Sequence, residues 1–237
     1  HRRSLARRAL ERLLDEDIEQ IEKSEDEHQS EEAAIEQKAR LHDQRLKDVH
    51  EVIKSEAAKR VLDLGCGEGK LLKRLLRDRS IHEIVGMDVS YRAIERAADR
   101  LRLDSLPTRD RNRIKLIHGS LMYRDKRLSG FDAATVVEVV EHLDPPRLAA
   151  FERVVFEFAK PETVIITTPN REYNIMFENL QADKYRHHDH RFEWTRGEFE
   201  EWSMSICERF GYEVEFRPIG AVDEKVGAPT QMGVFRR

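Results

Sequence analysis

Two short segments of the sequence carry carboxylate and imidazole groups at spacings that suit one metal ion. The first contains Glu138, Glu141 and His142, and the second, roughly fifty residues later, runs from Asp189 to Trp194. Because residues three and four apart share one face of a helix, a single helical turn would point the first three side chains the same way. Carboxylates and imidazoles suit Mg²⁺, Mn²⁺ or Co²⁺ rather than structural zinc bound by thiolates. The pattern predicts a divalent-metal site, with Mn²⁺ favoured because two histidines are unusual for Mg²⁺.

A glycine-rich turn follows the first buried strand of the chain. The pattern D-x-G-x-G-x-G is formed by Asp63, Gly65, Gly67 and Gly69. Its spacing differs from the G-x-G-x-x-G of dinucleotide enzymes, and Leu71 stands where a phosphate loop would place Ser or Thr. Since glycines let the backbone approach a ligand closely, the turn is predicted to bind a nucleotide-like cofactor without a pyrophosphate group.

Further polar positions end the next two strands. Asp88 closes the second strand, where an acidic side chain can accept hydrogen bonds from both hydroxyls of an adenosine ribose. Ser120 ends the third strand, the usual place to meet an adenine ring. Cys66, within the glycine turn, is predicted to be a packing residue because no base is evident beside it. All these positions fall at the carboxyl ends of strands, where such sheets bind ligands.

These residues need a framework of alternating strands and helices. Apolar patterns predict strands at 60–64, 83–88, 114–119, 131–137, 163–168, 212–217 and 230–236. Helices are predicted at 68–77, 90–102 and 147–159. A capping box from Thr195 to Glu198 opens a fourth helix that Gly211 can close. This alternation indicates an α/β fold with a doubly wound, mostly parallel, seven-stranded sheet that ends in an antiparallel pair.

Length and charge limit how the chain is organised. Its 237 residues allow one full α/β domain, predicted over residues 41–237, after an acidic helical appendage or linker over residues 1–40. Residues 11–36 carry 12 acidic and two basic residues, so the remainder is mildly cationic and suits a polyanionic partner. With only two cysteines and no membrane-length apolar run, a cytoplasmic protein without a membrane partner is expected. The first residue is His1 rather than Met, so we expect a longer native protein to continue upstream.

The glycine turn and the two strand-end positions together resemble the class I S-adenosylmethionine-dependent methyltransferases, over about residues 58–237. The resemblance implies a Rossmann-like fold and S-adenosylmethionine as the cofactor. It further implies that the turn, with Asp63, Gly65 and Gly67, holds the methionine portion. Asp88 would then hold the ribose, and Ser120 the adenine edge.

A more specific resemblance rests on the segments 138–144, 168–170 and 188–195. They resemble the small-RNA 3′-terminal ribose 2′-O-methyltransferases, the HUA ENHANCER-type family, in its bacterial branch and in the C-terminal methyltransferase half. Matched residue by residue, the resemblance implies that the catalytic, metal-binding residues are Glu138, Glu141, His142 and His190. It implies methylation of the 2′-hydroxyl at an RNA 3′ end with 2′,3′-hydroxyls that chelate the metal. It also implies a role in RNA repair and end protection, with a polynucleotide kinase-phosphatase partner.

Two other functions stay open at this point. An acidic residue and a histidine at such a strand exit also occur in methyltransferases of small molecules, so one alternative is a metal-assisted O-methyltransferase of a catechol-like substrate. The polar and aromatic loop over residues 183–194, the His190 loop, argues against it. The other is a non-catalytic RNA-binding scaffold on a methyltransferase fold. Candidate RNA contacts, each of which could instead be surface charge or helix packing, are Arg171, Tyr173, Lys184, Arg186, Arg191, Phe192 and Trp194.

Overall fold

The computed structural model describes residues 39–177 and 184–237. The appendage predicted over residues 1–40 lies almost entirely outside the described residues, and the boundary at residue 41 stays a prediction. A helix over residues 39–55, α1, comes first, and the described residues from Gln44 onward form one compact unit. Apolar residues recur along this helix every three or four positions, which buries one face of it. The buried side chains of that face are Leu46, Val49, Val52 and Ile53.

Seven strands form one sheet in the order β3-β2-β1-β4-β5-β7-β6. They are β1 Arg60–Leu64, β2 Glu83–Asp88, β3 Ile114–His118, β4 Ala133–Val137, β5 Thr163–Pro169, β6 Glu213–Ile219 and β7 Thr230–Arg236. The first five strands are parallel, whereas β7 pairs antiparallel with both β5 and β6. The predicted doubly wound sheet is therefore confirmed. Its order reverses between β1 and β4, and ligands of such sheets bind beyond the strand ends at this reversal.

Short helices connect the strands. They are α2 Lys70–Arg77, α3 Tyr91–Leu101, α4 Thr108–Arg111, α5 Leu148–Glu152 and α6 Arg196–Phe210. The α2 helix begins later than predicted because Gly69, with φ 74°, caps it in a left-handed conformation. The helix predicted over residues 147–159 continues beyond α5 as a π-helix, Arg153–Ala159. At α6 the predicted capping box is present, and Gly211 ends the helix.

The core lies on both faces of the central strands. Every residue of β5 is buried, as expected for a strand covered on both sides. Aromatic side chains from the helices and from β7 fill one face: Phe151, Phe156, Phe199 and Phe235. Within the described part of the chain, no helix is long and apolar enough to span a membrane.

Candidate active site

The glycine turn lies at the carboxyl end of β1, where the strand order reverses. Gly65 has φ 80°, and its backbone N–H donates to the carbonyl of Met87 at 2.8 Å. A Cβ added to Gly65 would lie 2.4 Å from Val139 Cγ2, in the segment that follows β4. The turn therefore needs glycine both for its conformation and for its close packing on the β4 exit.

Asp88 is joined to the glycine turn by a direct hydrogen bond. Its Oδ2 accepts from the backbone N–H of Gly67 at 2.8 Å, and its Oδ1 accepts from the N–H of Ser90 at the same distance. Ser120 follows the adjacent strand β3, and its Oγ accepts from the N–H of Met122 at 3.2 Å. The predicted cofactor positions thus lie at three neighbouring strand ends.

Asp63 is a buried carboxylate in β1 beside this turn. Its Oδ1 accepts from Thr135 Oγ1 at 3.0 Å, and its Oδ2 has no hydrogen-bond partner among the described residues. Burial raises the pKa of Asp63 to about 7; the Thr135 hydrogen bond opposes that rise, and the charge of Asp88 adds to it. Such a carboxylate suits a cationic ligand group. Burial also raises the pKa of the nearby Cys66 thiol, which agrees with its predicted packing role.

Three of the four predicted metal ligands come together at the ends of β4 and β5. The ligand atoms of Glu141, His142 and His190 all lie within 4.8 Å of one another. Glu141 is fully buried: its Oε2 accepts from Thr168 Oγ1 at 3.3 Å, and its Oε1 has no partner among the described residues. Burial, then the charge of Glu138, raises the pKa of Glu141. Burial, then His190, lowers the pKa of His142. A neutral imidazole and a carboxylate oxygen without a partner fit a divalent cation.

Glu138 departs from the predicted arrangement. One helical turn carrying all three side chains of this segment is wrong, because Glu138 adopts φ 53° and the helical turn comprises Val140–His142 only. The N–H of Glu138 donates to the carbonyl of Thr167 at 3.0 Å and so continues the pairing of β4 with β5. Its carboxylate accepts from Thr167 Oγ1 at 3.0 Å and lies 3.0 Å from Arg45 Nη2. In this structure the Glu138 carboxylate therefore contacts these two residues and is not part of the compact three-residue group.

Arg45 is a site residue that the sequence did not reveal. It lies in α1, is buried, and donates from Nη2 to Thr230 Oγ1 at 2.9 Å as well as facing Glu138. The available signal was a single arginine directly beside Leu46, on an otherwise apolar helix face. A long side chain at such a position usually reaches solvent. The sequence therefore gave no reason to expect that Arg45 would contact Glu138, 93 positions later.

Glu193 is the second residue whose role was missed. Its Oε1 lies 2.6 Å from His190 Nδ1 and accepts from the N–H of Arg186 at 2.7 Å, and its Oε2 accepts from Asn174 Nδ2 at 2.6 Å. Burial alone would raise the pKa of Glu193, but the hydrogen bonds from His190, Asn174 and Arg186 outweigh it and lower that pKa. A fixed, ionised carboxylate therefore stands behind His190. The available signal was an acidic residue three positions after a candidate ligand.

The basic and aromatic residues of the His190 loop serve mainly to hold it in place. Arg186 donates from Nε to Asn174 Oδ1 at 2.6 Å and from its other nitrogens to the carbonyls of Asn170 and Pro229. Burial lowers its pKa to about 10. A phosphate contact by Arg186 is therefore not what the structure favours, whereas Arg191 and Lys184 are exposed.

The candidate stacking residues are also engaged in packing. The rings of Phe192 and Trp194 are 4.7 Å apart, and that of Trp194 lies 4.9 Å from Trp202 of α6. Tyr173 is buried. The alternative that these rings anchor the following helix accounts for what is seen, whereas the rings of Tyr185, His187 and His188 are exposed.

Comparison with known proteins defines the class of this fold. A family model described as a methyltransferase domain matches residues 1–215. The seven-stranded sheet is that of the S-adenosylmethionine-dependent methyltransferases.

Relatives with higher sequence identity show which family of methyltransferases the chain belongs to. The chain is 39% identical over 215 residues to the small RNA 2′-O-methyltransferase of Mus musculus, covering 88% of this chain and 54% of the mouse protein. It is 56% identical to the methyltransferase domain of bacterial CtHen1-CN, with a TM-score of 0.77, covering 83% of this chain and all of that one. The chain belongs to the Hen1 family of methyltransferases. It spans about half the length of the curated relatives it matches. A chain in a Pnkp1/Rnl/Hen1 RNA repair complex shares the fold, at 24% identity and a TM-score of 0.63, with 83% of this chain and 42% of that one covered.

Proposed function

We propose that this chain transfers a methyl group from S-adenosylmethionine to the 2′-hydroxyl of the 3′-terminal ribose of RNA. The observation that carries the proposal is the position of the Glu141, His142 and His190 group directly beside the cofactor turn, since Gly65 packs on Val139 of the same segment. Family membership supports the substrate, because the mouse relative is named a small RNA 2′-O-methyltransferase.

The cofactor is proposed to bind along the ends of β1, β2 and β3. The glycine turn, with Gly65 and Gly67, holds the methionine portion, and Asp63 Oδ2, which has no partner in the described part of the chain, accepts from its ammonium group. Asp88 uses one lone pair of each oxygen for backbone N–H groups, so each oxygen keeps another for a ribose hydroxyl. Ser120 borders the adenine.

A divalent cation is proposed at the other end of the site, with Mn²⁺ favoured and Mg²⁺ or Co²⁺ possible. Its ligands would be Glu138, Glu141, His142 and His190. The support is the buried Glu141 oxygen without a partner and, for Glu138, the family resemblance. When bound, such a cation supplies Lewis-acid activation of a substrate hydroxyl. The chain's own residues hold the terminal ribose of a 2′,3′-diol end against the sulfonium methyl group and orient the two for in-line transfer.

The test is transfer of labelled methyl from S-adenosylmethionine to matched RNAs that end in a 2′,3′-diol or in 3′-deoxyribose, with Mn²⁺ and with chelator. Metal-dependent labelling of the diol end alone is expected. Equal labelling of both ends would refute selection by the vicinal hydroxyls. No labelling of either RNA despite tight cofactor and Mn²⁺ binding would favour the catechol-type alternative, and no transfer to any acceptor would favour a scaffold.

A repair partner and a cytoplasmic location complete the proposal. A polynucleotide kinase-phosphatase would supply RNA ends with free hydroxyls, and methylation would protect them from renewed cutting. The structural support for the partner is the fold shared with the chain from the RNA repair complex. The support for the location is that both Cys66 and Cys207 are free thiols.

A further inference from the structure

Glu193 contacts the proposed metal ligand His190, and both of its carboxylate oxygens have hydrogen-bond partners. We infer that Glu193 is a positioning residue that fixes the ring of His190 with Nδ1 protonated and Nε2 free for the cation. The inference rests on the proposed function, because it assigns Glu193 a role toward a metal that His190 is proposed to bind.

The first step concerns the protonation state of the pair. Glu193 has a fully buried side chain, and it accepts hydrogen bonds from two groups that can only donate, the N–H of Arg186 and Asn174 Nδ2. Hydrogen bonds of this number favour the ionised carboxylate, which can only accept. The group 2.6 Å from it, His190 Nδ1, must therefore be the donor. In a neutral imidazole this places the lone pair on Nε2.

The second step concerns rigidity. Arg186 links this carboxylate to the sheet, because it donates to Asn174 Oδ1 and to the carbonyls of Asn170 and Pro229, which border β5 and β7. The side chain of His190 is 9% exposed, so little room remains for another ring orientation. These contacts and its burial fix the ring orientation of His190, although this residue lies in a loop. A carboxylate behind a ligating imidazole also makes that imidazole a better donor to a metal.

The other acidic residue of the loop provides a contrast. Asp189 directly precedes His190 in sequence, but its carboxylate is 62% exposed and faces His188. The other candidate imidazole, His142, contacts the backbone carbonyl of Asp189 from Nδ1 at 3.3 Å. The strong carboxylate–imidazole contact in this group therefore belongs to His190 and Glu193.

The experiment compares the wild type with Glu193→Gln and with Glu172→Gln as a matched control. The Glu172 side chain binds Arg196 at the start of α6, and no contact of that side chain with Glu193 is found among the described residues. In metal-free protein with ¹⁵N-labelled histidine, above the ordinary histidine pKa of about 6.5, the wild-type His190 ring should show protonated Nδ1. The Glu193→Gln ring should show both tautomers. Its Mn²⁺ affinity should fall about 10–100-fold, while S-adenosylmethionine affinity and the control stay at wild-type values.

A double-mutant cycle separates positioning from a general structural effect. If Glu193 acts through His190, Glu193→Gln should not weaken Mn²⁺ binding further once His190→Ala is present. An equal further loss, an unprotonated Nδ1 in the wild type, or Mn²⁺ affinity within about twofold of wild type would overturn the inference. If Glu193→Gln fails to fold, Asn174→Ser, which removes one donor, should give the same changes at smaller size, and an unchanged tautomer and affinity there would overturn the inference too. Unchanged Mn²⁺ binding by His190→Ala alone would instead overturn His190 as a metal ligand. The ¹⁵N measurement of the His190 tautomer would then still test whether Glu193 fixes the ring.

Discussion

The proposed cofactor end of the site, at the ends of β1, β2 and β3, and its proposed metal end, around Glu141, His142 and His190, are assembled over different distances along the chain. At the cofactor end, Gly67 and Asp88 are 21 residues apart and are joined through a backbone N–H. At the metal end, His142 contacts the Asp189 carbonyl across 47 residues, and Glu138 faces Arg45 of α1. The geometry of the cofactor end depends on backbone conformation. The geometry of the metal end depends on contacts that position its side chains.

The largest expected effect comes from the one position that joins the two ends. Gly65→Ala would place a methyl group 2.4 Å from Val139 Cγ2 at a left-handed φ. We expect it to lose roughly 2–5 kcal/mol of unfolding free energy and to impair cofactor and Mn²⁺ binding together. Gly67→Ala is the control, since its φ is also positive but no atom of the described residues lies within 4 Å of the added carbon; it should lose about 1–2 kcal/mol. Urea unfolding and calorimetric titrations measure both, and equal losses would contradict the contact.

The next effect separates the ends. Glu141→Gln keeps the shape of the side chain but removes the buried charge. Loss of a residue that hydrogen-bonds to a metal ligand can lower metal affinity about 100-fold. Loss of the ligand Glu141 should lower Mn²⁺ affinity by more than that, with S-adenosylmethionine affinity unchanged. Because burial raises the pKa of Glu141, its ionisation opposes folding of the metal-free protein as pH rises. The variant should therefore match or exceed wild-type metal-free stability at neutral pH. Wild-type Mn²⁺ affinity in the variant would remove Glu141 from the ligand set.

A smaller effect tests the cofactor end through pH. The pKa of Asp63 is raised from 3.8 to about 7 in the folded state, so its proton stabilises the cofactor-free fold at low pH and that stability is lost as pH rises toward 7. A bound ammonium group requires the ionised form. The Kd for S-adenosylmethionine should therefore fall about tenfold per pH unit as pH rises from about 5.5 toward 7, and then level off. Asp63→Asn should bind weakly with little pH dependence, and a similar slope in this variant would assign the effect to another group.

The two ends also differ in how far the sequence predicted them. At the cofactor end, the glycine pattern and the acidic strand end gave both the residues and their proximity, because glycine at a turn and Asp at a strand end have local backbone causes. The seven strands could also be predicted from local sequence, since burial on both faces of a strand produces a short apolar run.

At the metal end, the residue types were predicted but their arrangement was not. Helical spacing suggested that Glu138 would lie beside Glu141, but continued pairing with Thr167 turns Glu138 out of the helix. Arg45 and Glu193 act through contacts that become visible only once the chain is folded. Spacing along the sequence therefore identifies candidate ligands better than it identifies what holds them.

The smallest expected effect concerns a histidine that sequence alone cannot separate from the ligands. His188 lies two residues before His190, and with His187 and Asp189 it forms a second group of ligand atoms whose three residues are all exposed. Its side chain is 83% exposed and faces Asp189 across 3.2 Å, a contact that water and salt screen strongly. We expect His188→Ala to change Mn²⁺ affinity, cofactor affinity and stability less than about twofold, a size typical of exposed pairs. His190→Ala measured in parallel should weaken Mn²⁺ binding far more than that. If the two variants weaken Mn²⁺ binding equally, exposure would be a poor guide to ligation in this loop, and the metal end would extend to its surface.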